Sequence, residues 1–275
     1  MLQTDSKRWK PPASRSLSGG FTSIELLVVI AVCVVLTAIL LPALAKSKER
    51  DIRVVCVNNE KQLYTSLQMY CDENGDKLPI LQDAGTWPWD LPTTATTPMT
   101  NSGCVPKTFY CPSTAPRFTD QQNWAEANSL WNFGPNSGSP FNITGYAFAF
   151  GGSYSKVDPQ YQNLTLLTEL HTNGPTTVAD TPGARELIAD VILSANNTLP
   201  ATAVDNFSAI AGGFTQNGVT YPHLSAHLGR GVIPAGGNIA YKDGHVQWKK
   251  FDASTIHPGT NPTKTRTTSN PWFWW

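Results

Sequence analysis

Five histidines, five cysteines and a few clustered acids are the side chains of this 275-residue chain best suited to chemistry. His223, His227 and His245 lie near Asp243 in sequence, and His and Asp are both zinc ligands. A His-x3-His spacing puts both rings on one face only in a helix, and Pro222 and Gly229 oppose a helix there. The expectation is a histidine that fixes a loop against a hairpin, with no metal and no cofactor assigned. Asp72-Glu73-Asn74-Gly75-Asp76 offers the oxygen ligands that calcium takes, but without the alternating spacing and closing glutamate of an EF-hand loop. A solvated, helix-ending turn is expected instead. Asp180 and Asp190 read as solubilising acids near strand ends. No Gly-x-Ser-x-Gly elbow, phosphate-binding loop or His-Glu-x-x-His helix occurs. The chain is therefore expected to have no enzymatic chemistry of its own.

Cys33 lies within an apolar run, where a thiol behaves as a small hydrophobe. Cys56, Cys71, Cys104 and Cys111 remain, an even number available for disulfides, with three pairings. If one helix carries Cys56 and Cys71, they lie ~22 Å apart by rise per residue. Bonded Cα atoms lie within about 7 Å, so that pair is excluded while Cys104–Cys111 alone stays open. The preferred arrangement has the loop cysteines stapling residues 104–111 to the helix, with four reduced thiols as the alternative.

The elements that must position these residues are written in the charge pattern. Twenty basic and twenty acidic residues give a net charge of zero, which excludes a strongly basic nucleic-acid binder. Residues 1–20 carry Lys7, Arg8, Lys10 and Arg15 against Asp5, a basic leader. Leu26 to Ala45 carries no charge, and twenty helical residues reach ~30 Å, the thickness of bilayer hydrocarbon. The basic flank favours a cytoplasmic N-terminus, with everything after Ala45 across the membrane. Ile52, Cys56, Leu63, Leu67 and Tyr70 then recur near helical spacing until Gly75 and Pro79. One helix is predicted from about Thr22 to Asp72, open to a kink at Pro42.

Beyond it, residues 80–140 read as long loops braced by Trp87, Trp89, Trp124 and Trp131. Strands are predicted at Ile143–Phe150, Glu186–Leu193, Ser208–Phe214, Asn238–Tyr241 and His245–Phe251, which suggests an antiparallel sheet and an α+β class. The last two flank Asp243-Gly244, a hairpin signal for a type I′ turn. The aromatic terminus Pro271-Trp272-Phe273-Trp274-Trp275 is expected to dock on the fold or on a partner.

Gly20-Phe21-Thr22-Ser23-Ile24-Glu25-Leu26-Leu27-Val28-Val29-Ile30 resembles the prepilin signal of type IV pilins and type II secretion pseudopilins. The resemblance implies cleavage between Gly20 and Phe21, N-methylation of Phe21, and a Glu25 that meets the free amine of a neighbouring subunit. Pro42, at the twenty-second mature position, matches a frequent family proline. Cys56-Val57-Asn58-Asn59, Tyr70, Asn74-Gly75, Pro79 and Phe109-Tyr110-Cys111-Pro112-Ser113 are similar to a planctomycete- and verrucomicrobium-type subfamily. That subfamily has a His-x9-Asp-Gly element. Here His227 precedes Asp243-Gly244 with fifteen residues between, so a His227–Asp243 contact is implied only by resemblance.

The implied architecture is pilin-like: leader 1–20, transmembrane and assembly helix 21–45, membrane-proximal amphipathic helix 46–77, and periplasmic head 78–275. The implied function is a structural pseudopilin polymerised through its N-terminal helix into a type II secretion-like pseudopilus. Its implied partners are other pseudopilin subunits, a prepilin peptidase, the inner-membrane secretion platform and the membrane, with no nucleic acid. The alternative is a membrane-anchored periplasmic binding protein whose Trp-rich loops and aromatic tail hold a polysaccharide or secreted substrate. A weaker alternative is a periplasmic hydrolase with an ordinary signal peptide cleaved after Ala43-Leu44-Ala45.

Overall fold

A computed structural model of the chain describes residues 22–80, 87–114, 131, 141–151, 166–168, 185–195, 207–208, 210–216, 219–229, 233–251 and 272–274. The leader with Gly20 and Phe21, Trp124, Asp180 and the whole of the 252–271 tail lie outside these residues. The chain divides into two units, residues 1–47 and 48–275.

Helix α1 runs Ser23–Glu73, within one residue of the predicted span at each end and continuous through Pro42. In the first unit, the stretch Ser23–Leu41 is apolar on every face and none of it is buried. It is long and apolar enough to cross a membrane. Its first turn is closed by a capping box. The Thr22 backbone N–H and hydroxyl donate to Glu25 Oε2 at 2.9 and 2.8 Å, and the Glu25 N–H donates back to Thr22 Oγ1 at 3.3 Å.

In the second unit, α1 carries an apolar stripe. Cys56, Leu63, Leu67 and Cys71 are buried in the main core, as spacings of seven and four residues on one helix face require. Full burial of each leucine contributes about 1.5–3 kcal/mol. The helix ends where Gly75 and Asp76 both take positive φ and the Asp76 N–H bonds back to Cys71 O at 2.8 Å. The Asp76 carboxylate then accepts the Thr168 N–H at 3.0–3.1 Å and its hydroxyl at 2.6 Å. So the acidic turn expected to be merely solvated fastens residues 166–168 through Asp76.

The other elements are β1 (Asp90–Pro92), α2 (Thr93–Asn101), a 3-10 turn (Pro106–Phe109), β2 (Phe141–Ile143), β3 (Tyr146–Phe148), β4 (Glu186–Asp190) and β5 (Ile192–Ser194). They continue with β6 (Ile210–Gln216), β7 (Val219–His223), β8 (Leu228–Gly229), β9 (Ile233–Pro234), β10 (Gly236–Tyr241), β11 (Val246–Lys250) and β12 (Trp272–Trp274). The largest sheet has the order β11-β10-β4-β3, all antiparallel, with two-stranded pairs β1-β2, β5-β12, β6-β7 and β8-β9 around it. Helix with antiparallel sheet is compatible with the expected α+β class. The long predicted strands at 143–150 and 186–193 each fall into two short ones: the first gives β3 with the end of β2, the second β4 and β5.

One detail corrects the sequence expectations and another decides between two of them. The β10–β11 hairpin forms, but its connection is not type I′. The Gly244 N–H bonds to Tyr241 O at 2.9 Å and only Gly244 of the connecting residues has positive φ, +82°. That is a three-residue loop with glycine in the left-handed region closing a bulge. The aromatic terminus docks on the fold: β12 pairs with β5, and the buried Phe273 ring meets Trp89 edge-on at 5.9 Å. Trp89, itself buried, stacks on Trp87 at 5.4 Å, and Trp131 packs on Phe109 at 5.0 Å. Three of the four loop-bracing tryptophans thus pack in or against the core, Trp131 on the main cluster and Trp87 and Trp89 on a smaller one that includes Phe273.

Candidate functional site

Four chain segments meet in the second unit around His227. The residue sits in the turn before β8 with φ +50°, one of two non-glycine residues with positive φ among the described residues. Its backbone is held from both sides, by Ser113 Oγ accepting its N–H at 2.9 Å and by the Ala235 N–H donating to its carbonyl at 2.8 Å. Such a conformation costs on the order of 1 kcal/mol or more and persists where the surroundings over-determine it. What it secures is the ring, which is wholly buried.

The ring nitrogens face acids and sulfur. Nδ1 lies 3.2 Å from Glu49 Oε1, near the start of the second unit's part of α1. Nε2 lies 3.0 Å from Asp190 Oδ2, at the end of β4, and 3.5 Å from Cys111 Sγ. Cys111 Sγ is 2.9 Å from Cys56 Sγ and 2.9 Å from Ser113 Oγ, and all five cysteines are free thiols. Asp190 Oδ2 also accepts from the Asn238 backbone and side-chain N–H groups at 2.7 and 3.0 Å. Trp248 closes one side, its ring edge-on to His227 at 5.1 Å, with the Arg53 guanidinium over the indole 3.8 Å from its ring centroid. Arg53 Nε also reaches Glu49 Oε1 at 3.0 Å.

The electrostatics follow from burial. Burial, the largest single effect, would depress the imidazolium, but the Asp190 charge and the hydrogen bonds to Asp190, Cys111 and Glu49 together outweigh it, and the His227 pKa is pushed up to about 12. Burial pushes the Cys111 thiol well up and, with the Asp190 charge adding to it, holds the Glu60 carboxyl well above the usual carboxylate range. Glu60 is completely buried on α1, and neither of its oxygens has a hydrogen-bond partner among the described residues. Asp190 Oδ1 and Asn238 Oδ1 are likewise without one.

The structure brings together three sequence elements singled out for their resemblance: Cys56 with Asn59, Cys111 with Ser113, and His227. Asn59 Nδ2 donates to Tyr110 O and to Tyr146 Oη, both at 3.2 Å, tying the helix to the Cys111 loop. It does not bring Asp243 to His227. Asp243 accepts from the His245 N–H at 3.0 Å and pairs with the ring of the same residue, which is exposed and stacks on Tyr241 at 4.2 Å. The aspartate that meets His227 is Asp190. Reading it as a solubilising acid is corrected here, because it is fully buried on a strand with Leu187, Ile188 and Ala189. His223 lies edge-on to Trp89 at 6.1 Å, apart from the site. Cys71 donates to Lys77 O at 3.3 Å and Cys104 to Gln62 O at 3.5 Å, so neither joins Cys56 and Cys111.

Glu49, Glu60 and Asp190 went unrecognised in the sequence. For Glu60 the signal was available: it stands four residues after Cys56 and three before Leu63, on the buried stripe of α1. Set against protein-family models, curated proteins and solved structures, the chain matches none of them.

Proposed function

We propose that the protein is a pilin-like structural subunit, cleaved after Gly20, N-methylated at Phe21 and polymerised through its N-terminal helix into a type II secretion-like pseudopilus. The observation that carries this reading is the opening of α1. A helix apolar on every face, Ser23–Leu41, begins one residue after Thr22 and holds a single acid, Glu25, in its first turn. A membrane anchor needs the apolar stretch but not the acid, which costs roughly 2–3 kcal/mol near hydrocarbon. In this reading the helix sits in the inner membrane, the residues after Ala45 form a periplasmic head, and the apolar surface later meets the helices of other subunits. The protein then works by assembly. Phe273 and Trp89, packed together inside the fold, speak against a ligand-capturing aromatic tail.

The capping box gives Glu25 a second role that must be separated from registry. Glutamine preserves the cap, since capping boxes accept Glu or Gln, while removing the charge that would meet a neighbour's amine. Mass spectrometry of the mature N-terminus is expected to find N-methyl-Phe21; a chain starting at Lys46 overturns the reading. In a host carrying the machinery, Glu25→Gln should be cleaved normally and fail to enter filaments. Normal incorporation would reduce Glu25 to a helix cap.

A further inference from the structure

We propose that Cys56, Cys111, Asp190 and His227 form a buried, four-coordinate site for a divalent transition metal, with zinc the ion their donor set fits. The four ligand atoms lie within 4.8 Å of one another and all four residues are buried. They come from the helix, from the loop after the 3-10 turn, from the end of the central strand β4 and from the left-handed turn before β8. Two thiolates, an imidazole and a carboxylate are a borderline-soft set that selects zinc over calcium or magnesium.

Tetrahedral zinc at its usual bond lengths separates such donors by about 3.3–3.8 Å. The His227–Cys111 edge, 3.5 Å, already has that length. The His227–Asp190 edge at 3.0 Å needs to open by a few tenths, and the sulfurs at 2.9 Å by under about 1 Å, as two like-charged thiolates around a cation would. The outer partners are also in place. Glu49 Oε1 at Nδ1 fixes the tautomer that leaves the Nε2 lone pair pointing at the other donors, the carboxylate–histidine–metal arrangement. Asn238 orients the Asp190 carboxylate through two hydrogen bonds.

The independent observation is a cluster of buried oxygens without partners. Four buried side-chain polar atoms lack a partner among the described residues, and every one is an oxygen: both of Glu60, Asp190 Oδ1 and Asn238 Oδ1. Asn238 is bonded to Asp190, and Glu60 is electrostatically coupled to Asp190, Cys111 and His227, so the cluster surrounds this one locus. Glu60, held neutral by burial, carries a proton of its own, but Asp190 Oδ1 and Asn238 Oδ1 are acceptors without donors, which is costly, and a cation beside Asp190 supplies what a further donor would. With four protein donors and no open position, the ion would be structural, crosslinking four segments that are far apart in sequence. Binding replaces the two thiol protons and frees Nε2 of its proton, so affinity should rise with pH.

The test uses the full chain in mild detergent, held under a non-coordinating phosphine reductant, stripped with chelator and titrated with cobalt(II) and then zinc. One equivalent of cobalt should give the visible bands of a tetrahedral thiolate site, with sulfur-to-cobalt charge transfer in the near ultraviolet, bleached by one equivalent of zinc. Cys111→Ser should weaken cobalt binding at least a hundredfold. Asp190→Asn keeps the size of the side chain as a control for folding, and should weaken it at least tenfold. Cys71→Ser and His245→Gln should leave it unchanged. A reduced wild-type chain that is folded by circular dichroism yet gives no cobalt spectrum overturns the proposal. So does a spectrum lost in His245→Gln, or a chain that, thiol-trapped in the cell, is found two hydrogens lighter with Cys56 bonded to Cys111.

Discussion

Glu25 and Asp190 are both carboxylates set among apolar residues, and the chain accommodates them in opposite ways. Glu25 stands at the start of a helix whose apolar side chains all face outward, and its partner is Thr22, three residues away. Asp190 is buried at the end of a central strand and its partners lie 37 and 48 positions along the chain, at His227 and Asn238. The same contrast divides α1. In Ser23–Leu41 the leucines and valines are exposed on every face, whereas Leu63 and Leu67 are wholly buried. One region is determined locally, and its apolar side chains are exposed. The other is determined by tertiary packing and exists only when distant segments have met.

The two cysteines of α1 that lie outside the site test this division with the largest expected effect. Cys33 is exposed, while Cys71 is buried beside Asp76 and Asp72 and its pKa is pushed up to about 12, burial being the main cause. At pH 8 its thiolate fraction falls about a thousandfold below that of an ordinary thiol. The greater nucleophilicity of a more basic thiolate returns roughly a factor of twenty. Iodoacetamide should therefore modify Cys71 on the order of a hundredfold more slowly than glutathione, with a rate still climbing above pH 10. Modification of Cys71 at the glutathione rate in native protein would mean that the end of the helix is not packed.

Substitution along the helix should show the same divide in stability. Leu63→Ala is expected to cost about 2–5 kcal/mol, the range for emptying a packed leucine site. Leu36→Ala, at a position 55% exposed, should leave the unfolding free energy within about 0.5 kcal/mol. Urea unfolding in detergent, followed by tryptophan fluorescence, measures both. Equal costs would show that Leu36 is packed against the fold after all.

What was legible in the sequence follows that divide. The helix was readable almost to the residue because its signals are local: an uncharged bilayer-length run, a periodic stripe, then Gly75. The β10–β11 hairpin was readable for the same reason, although its turn type was not, since the extra loop residue that makes Gly244 a bulge leaves no mark in composition. The site was half readable. Cys56, Cys111 and His227 could each be singled out, but nothing in a linear pattern shows that Asp190 and not Asp243 reaches the histidine. An acid beside a strand looks the same whether it faces water or the core, and only the pairing of β4 between β3 and β10 buries it. The aromatic terminus was ambiguous because its partner strand, β5, is nearly eighty residues away.

Gly145 sharpens the comparison at intermediate size. A Cβ there would come within 2.7 Å of the Cys111 backbone nitrogen and 3.1 Å of Tyr110 Cα. Both are main-chain atoms, so the loop carrying Cys111 would have to move. Gly145→Ala should destabilise the fold by about 1–3 kcal/mol, as overpacking does. Thermal unfolding by circular dichroism reads the loss, and an unchanged midpoint would show that the Cys111 loop yields freely.

The smallest effect belongs to Arg53, which borders the buried cluster without entering it. Its Nε pairs with Glu49 Oε1 at 3.0 Å, one turn earlier on the helix, and its guanidinium lies 3.8 Å from the Trp248 ring centroid. Both groups of the ion pair are about a third exposed, so at i,i+4 spacing the pair contributes only about 0.3–0.5 kcal/mol. The contact with the indole face adds about 0.5–1 kcal/mol. Arg53→Ala should then cost roughly 1 kcal/mol, and Arg53→Lys about half of that, because an ammonium keeps the charge but loses the flat stack. Salt separates the two contributions: at 1 M the ion pair is largely screened while the stacking persists, so the cost of Arg53→Ala should shrink without vanishing. A cost of 3 kcal/mol or more would mean that Arg53 is what holds Glu49 on the buried ring of His227. The boundary between the locally and the tertiarily determined regions would then run through this one surface ion pair.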